Sequence, residues 1–161
     1  MTVDEFLANP PTEPVMCPDP ILLKPCEAVT DFAKIEQVGS LMIRLMREWR
    51  GCGLAANQVG LSLRLFVVHD FTTGFGGAFA NPGIETEGPI EKEEESCLSI
   101  PGTRVRVPRP RCCTMVWQNP KTREWHKSAL LGGRVARMIQ HEVDHLNGVT
   151  ILDRGKVELK R

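Results

Sequence analysis

An α+β fold, with antiparallel sheets packed around a late helix, is the architecture this sequence predicts. Three observations lead there. Apolar residues recur at helical spacing in two separated stretches, 32–49 and 134–146. Short apolar segments with turn residues between them fill the interval, without regular strand–helix alternation, which disfavours a parallel doubly wound sheet. The 161 residues show no internal repeat and no linker, which fits one domain with one buried core.

In chain order, Met1 to Pro20 is acidic and proline-rich. It has neither the basic-then-apolar order of a secretory signal nor the arginine-rich character of a transit peptide, so residues 1–18 are expected to be an N-terminal arm before a single domain over 19–161 of a cytoplasmic protein. Phe32, Ile35, Val38, Leu41, Met42, Leu45, Met46 and Trp49 then define one buried helix face. Thr30 and Asp31 are its candidate caps, and Gly51 and Gly53 follow its end. Leu63–Val68 reads as a short strand before a glycine-rich turn over Thr72–Gly77. The acidic run Glu85–Glu95 reads as a solvated loop or edge. Arg104–Val107 and Cys112–Gln118 are further strands, separated by Pro108 and Pro110. The last helix spans Arg134–Leu146 and stops at Asn147 and Gly148.

Lys plus Arg and Asp plus Glu stand at 20 each, so net charge suggests no nucleic-acid role. No apolar run approaches the roughly 18 residues of a membrane span, and a soluble protein is expected. The six cysteines include no CxxC pair, which points to free thiols in a reducing compartment rather than a disulfide framework. Adjacent Cys112 and Cys113 should face opposite sides of a strand.

The strongest local signal is His141-Glu142-Val143-Asp144-His145, an H-E-x-x-H pattern inside the last helix. At about 100° per residue the two imidazoles lie about 40° apart, one turn on, and can share a metal. Glu142 falls between that pair and the apolar stripe of Val135, Ile139 and Leu146. A carboxylate there is either protonated or paired structurally, or poised beside the metal as a general acid/base. Asp144 projects off the metal face, where an ion pair with Arg109 is expected, leaving Arg104 or Arg106 to face a substrate cleft.

Two histidines leave a catalytic metal site incomplete, because three protein ligands are typical. Downstream of His145 the only carboxylates are Asp153 and Glu158, and no third histidine follows at metzincin spacing. Upstream, Glu95-Ser96-Cys97-Leu98-Ser99-Ile100-Pro101-Gly102 offers a thiolate before a Pro-Gly turn, which would complete a Cys-His-His set.

Three segments together resemble the signatures of peptide deformylases, in the same order. Gly51-Cys52-Gly53-Leu54-Ala55-Ala56-Asn57-Gln58 matches G-x-G-L-A-A-x-Q, and Gln140-His141-Glu142-Val143-Asp144-His145-Leu146 matches Q-H-E-x-D-H-L. Glu95-Ser96-Cys97-Leu98-Ser99 matches E-G-C-L-S apart from Ser96 for glycine, a change that alters backbone freedom beside Cys97.

The resemblance implies that Cys97, His141 and His145 bind a divalent metal, commonly Fe(II), with Zn(II), Ni(II) or Co(II) able to replace it. It implies that Glu142 moves the proton from the attacking water to the leaving amine, while Gln58 and the Leu98 backbone N–H hold the oxyanion. Gly53 would bond the peptide backbone; from the helix face itself, Met138 and Arg134, one and two turns before His141, are candidates for the wall of the methionine pocket, with Arg104 facing the cleft. The implied substrates are N-formyl-Met peptides or nascent chains. Ribosome contact through a long C-terminal helix is not expected, because only 13 residues follow Gly148. A zinc endopeptidase and a non-catalytic metal-binding module are the competing readings; the thiolate and Gln58 weigh against the first, an intact Glu142 and Gln58 against the second.

Overall fold

The computed structural model describes residues 1–157; the last four residues, Glu158 among them, lie outside the described residues. Seven antiparallel strands form one sheet along the path β1-β2-β3-β4-β5, with β6 and β7 paired to the outer edge of β4. The strands are β1 (Gly53–Ala55), β2 (Leu65–His69), β3 (Gly76–Cys97), β4 (Ile100–Gln118), β5 (Trp125–Lys127), β6 (Leu131–Gly132) and β7 (Lys156–Val157). The helices are α1 (Val3–Ala8), α2 (Ile35–Glu48), α3 (Gly133–Leu146) and α4 (Ile151–Arg154), with single 3-10 turns at Pro20–Leu23 and Ala56–Val59.

The apolar run of β2 is explained by cover on both faces. Leu65 and Val67 pack with Val38, Met42 and Met46 of α2. The alternate residues Phe66 and Val68 pack with Val135, Ile139 and Val143 of α3. A Cβ on Gly39 would lie 2.8 Å from the Ala78 side chain, so the absence of a side chain there sets how closely α2 meets β3. The expected arm is packed down: Phe6 of α1 is fully buried in the α2 cluster, and Val15 N–H and Cys17 N–H donate to Gln58 O and Ser99 O.

Three expectations change. The long helix starts at Ile35 rather than Phe32, because Asp31 Oδ1 accepts from Ala33 N–H at 2.9 Å and closes a turn before the helix begins. Glu85–Glu95 is not a loop but part of the 22-residue β3, in register with β4 through pairs such as Glu87 with Cys112 and Glu94 with Arg106. Cross-strand arginines make this acidic strand tolerable: Arg104 reaches Glu94 at 3.1 Å and Arg111 reaches Glu91 at 3.7 Å.

The third change is that Pro108 and Pro110 do not divide two strands; β4 runs through both. Being two residues apart, they turn their missing N–H groups to the same edge. The outer edge of β4 pairs with β7 at Val105 and Arg106 and with β6 at Cys112 and Cys113, and among the described residues no second strand lies along the stretch between, so the prolines break no ladder there. Cys113 is fully buried and Cys112 only partly so, as alternation requires.

Candidate active site

The end of β3 and one face of α3 meet over a cavity of about 540 Å³. Its lining includes Gly53, Gln58, Cys97, Leu98, Met138 and Arg134, together with His141 and Glu142. Cys97 Sγ and the ring nitrogens of His141 and His145 lie within 4.8 Å of one another, and Sγ is 3.2 Å from His145 Nε2. Cys97 arrives there because β3 alternates: Glu95 and Cys97 point inward, Glu94 and Ser96 outward. Ser96 does not have positive φ, so no glycine-only backbone is demanded where serine stands.

The donor set fits a divalent ion: one cysteine sulfur and two imidazoles converge, Cys97 and His145 buried and His141 partly so. His141 Nδ1–H donates to Glu95 Oε2 at 2.9 Å, which aims the other ring nitrogen at the thiolate. Burial, helped by the nearby His141 and Arg109, pulls His145 down to about 3, so its imidazole is neutral and offers a lone pair. Burial would also lower His141, but hydrogen bonds to Cys97 and Glu95 push it well above its ordinary value. Metal binding at that nitrogen displaces the proton.

Glu142 is buried, with Oε2 free of any hydrogen-bond partner among the described residues. Burial raises its carboxyl to about 7, against the lowering by His141, a value suited to taking and returning a proton near neutrality. Gly53 makes room for it, since a Cβ at that position would collide with Glu142 Oε1. Gln58 Oε1 accepts from Ala55 N–H at 2.9 Å; its Nε2 donates to Ser99 Oγ at 3.0 Å and sits 3.6 Å from Cys97 Sγ. One N–H of that amide thus points at Ser99 and the other at the Cys97 sulfur, at the heart of the site.

Asp144 pairs with Arg109, as the helix geometry suggested, at 2.8 Å from the guanidinium. Arg154 adds a bidentate contact at 2.6 and 3.0 Å. Arg104 does not line the cavity: β4 alternation buries Val105, Val107 and Arg109 and turns Arg104 and Arg106 to the outer surface.

The residue the sequence reading left without a role is Glu95. It accepts from Arg109 Nε at 2.6 Å and Arg137 at 2.8 Å as well as from His141. Burial alone would raise it, yet hydrogen bonds from His141 and Arg109 hold it at about 2. Its signal was its position two residues before Cys97, which on a strand places both on one face.

A substitution tests the Gly53 packing. Gly53→Ala is expected to displace the Glu142 carboxyl and lower kcat at least about tenfold, a cost of about 1.4 kcal/mol in the barrier, with an unchanged circular dichroism spectrum. Wild-type kcat in that variant would show that Glu142 has other room.

The family model described as Polypeptide deformylase matches residues 12–160. The peptide deformylase of Desulforudis audaxviator is 38% identical over 149 residues, covering 91% of this chain and 95% of the relative. The crystal structure of peptide deformylase from Thermotoga maritima superposes with a TM-score of 0.83 at 38% identity, covering 89% of this chain and 97% of that one. The peptide deformylase of Synechococcus elongatus, solved in complex with actinonin, gives 0.84 at 34% identity, covering 92% and 81%. With this agreement over nearly the whole sequence, and with the site residues converging in one cavity, the chain belongs to the polypeptide deformylase family.

Proposed function

We propose that this chain hydrolyses the N-formyl group from the N-terminal formyl-methionine of newly made peptides, releasing formate and a free amine. The observation that carries the reading is the convergence of the Cys97-His141-His145 triad with the Glu142 carboxyl in one cavity, in a chain of this family. A divalent ion held by the triad, Fe(II) natively and Zn(II), Ni(II) or Co(II) as substitutes, supplies the Lewis acidity that polarises the formyl carbonyl and acidifies water.

The protein groups do the rest. Glu142 takes a proton from the attacking water as the oxygen bonds to the formyl carbon, then passes it to the amine nitrogen as the C–N bond breaks. The Gln58 N–H on the Cys97 side and the backbone N–H of Leu98 stabilise the negative charge on the formyl oxygen. Gly53 offers its main chain to the extended peptide, and Met138 and Arg134 wall the side-chain pocket. The first 18 residues act as a packed arm on one catalytic domain. No helix of the described residues is long and apolar enough to cross a membrane, and all six cysteines are free, which supports work in the reducing cytoplasm.

Chelation should abolish formate release and a divalent ion should restore it. Cys97→Ser, which exchanges a soft thiolate for a hydroxyl, is expected to weaken metal binding by at least about tenfold to a hundredfold. Competition against a chromophoric chelator reads the change. Unchanged affinity and activity would point to a different third ligand.

A further inference from the structure

We propose that Arg50 selects substrates with an acidic side chain in the two or three residues after the formyl-methionine; this deepens the deformylase reading and rests on it. The cavity wall running outward from Gly53 is Cys52, Gly51 and Arg50, passing from part-buried residues to an exposed one. β1 stands at the end of the strand path and, among the described residues, pairs only with β2, which leaves its other edge open to an added strand. In the opposite direction the chain enters Leu54, Ala55 and Ala56, all fully buried. A peptide whose first residue sits beside Gly53 and Glu142 therefore leaves the cavity antiparallel to β1. At about 3.4 Å per residue its next residues pass within reach of an arginine at position 50.

Arg50 is the cation on this wall whose charge is uncommitted. Other charges lining the cavity are paired: Glu93 with Arg137 at 3.3 Å, Glu94 with Arg104 at 3.1 Å, and Arg134 with Asp70 at 3.6 Å. The Arg50 side chain makes no hydrogen bond or ion pair among the described residues. Nor does the backbone favour arginine. Arg50 has φ 58° in the turn that closes α2, where Gly51 N–H donates to Met46 O at 2.8 Å. Glycine or asparagine suits that conformation better than arginine does. The turn does not call for the guanidinium; a ligand at the cavity mouth gives it a partner.

The test compares formate release from formyl-Met peptides that differ only by Glu, Gln or Lys at the second, third or fourth position. At low salt, kcat/KM at the responsive position should favour Glu over Gln by about threefold and over Lys by about tenfold, the scale of an exposed ion pair. The preference should fade toward unity near 1 M salt. Arg50→Asn, which tolerates the left-handed backbone, should bring the Glu-to-Gln ratio to about one, and Arg50→Lys should retain it. Because each ratio is taken within one variant, a change in overall turnover cancels. Equal rates for Glu and Gln peptides in the wild type, or a preference that survives Arg50→Asn, would overturn the inference while leaving deformylation intact. No formate from any of the peptides would instead remove the activity on which it rests.

Discussion

Glu142→Gln is expected to keep the metal and lose turnover by about 100-fold to 10,000-fold, the range that a positioned general acid/base contributes. The amide has the shape of the carboxyl, so the tight approach to Gly53 and the α3 packing survive while the proton carrier does not. Burial that lifts the carboxyl to about 7 explains why the native side chain serves as base and then acid in one cycle. Metal analysis of the variant beside its kcat separates this from loss of the site. A metal-replete variant with near wild-type kcat would take Glu142 out of the mechanism.

Arg109→Ala is expected to destabilise the fold by about 3 to 5 kcal/mol, because it strips a buried guanidinium from two buried carboxylates, Glu95 and Asp144. Arg137 and Arg154 still touch those acids, but each bonds only one of them. Arg137, on the helix that carries both histidines, also reaches Glu95, but only Arg109 among these arginines bonds both acids at once. Arg109→Lys should recover only part of the loss, since an ammonium lacks the planar fork that bonds both acids. Denaturant unfolding gives the midpoint and slope. A loss below about 1 kcal/mol at unchanged slope, the scale of a surface pair, would show that the remaining arginines compensate.

The sequence disclosed the chemistry better than the sheet. H-E-x-x-H on a helix is a local pattern whose geometry follows from the helical repeat, which places His141, His145, Glu142 and the turn of Asp144 away from the metal face without tertiary information. Cys97 required elimination among possible ligands plus a family resemblance, because the contact spans 48 residues between β3 and α3. The long strands were hidden for a physical reason. An acidic run and two prolines both read as breaks, and their tolerance depends on what lies across the ladder: arginines opposite the glutamates, an unpartnered edge beside the prolines. The same blind spot cost Arg104 its expected place, since its face was fixed by the parity of a strand whose continuity had been missed. Glu95 was visible only as part of a motif; four hydrogen bonds from Arg109, Arg137 and His141 make it the anchor of the site.

The most direct test is formate release by the metal-loaded protein from a formyl-Met peptide, run beside the acetyl-Met counterpart and an internal peptide carrying the same residues. A deformylase releases formate rapidly from the first, with no comparable deacetylation of the second and no cleavage of the third. Cleavage of the internal peptide, or no formate with metal bound and Glu142 intact, would contradict that activity.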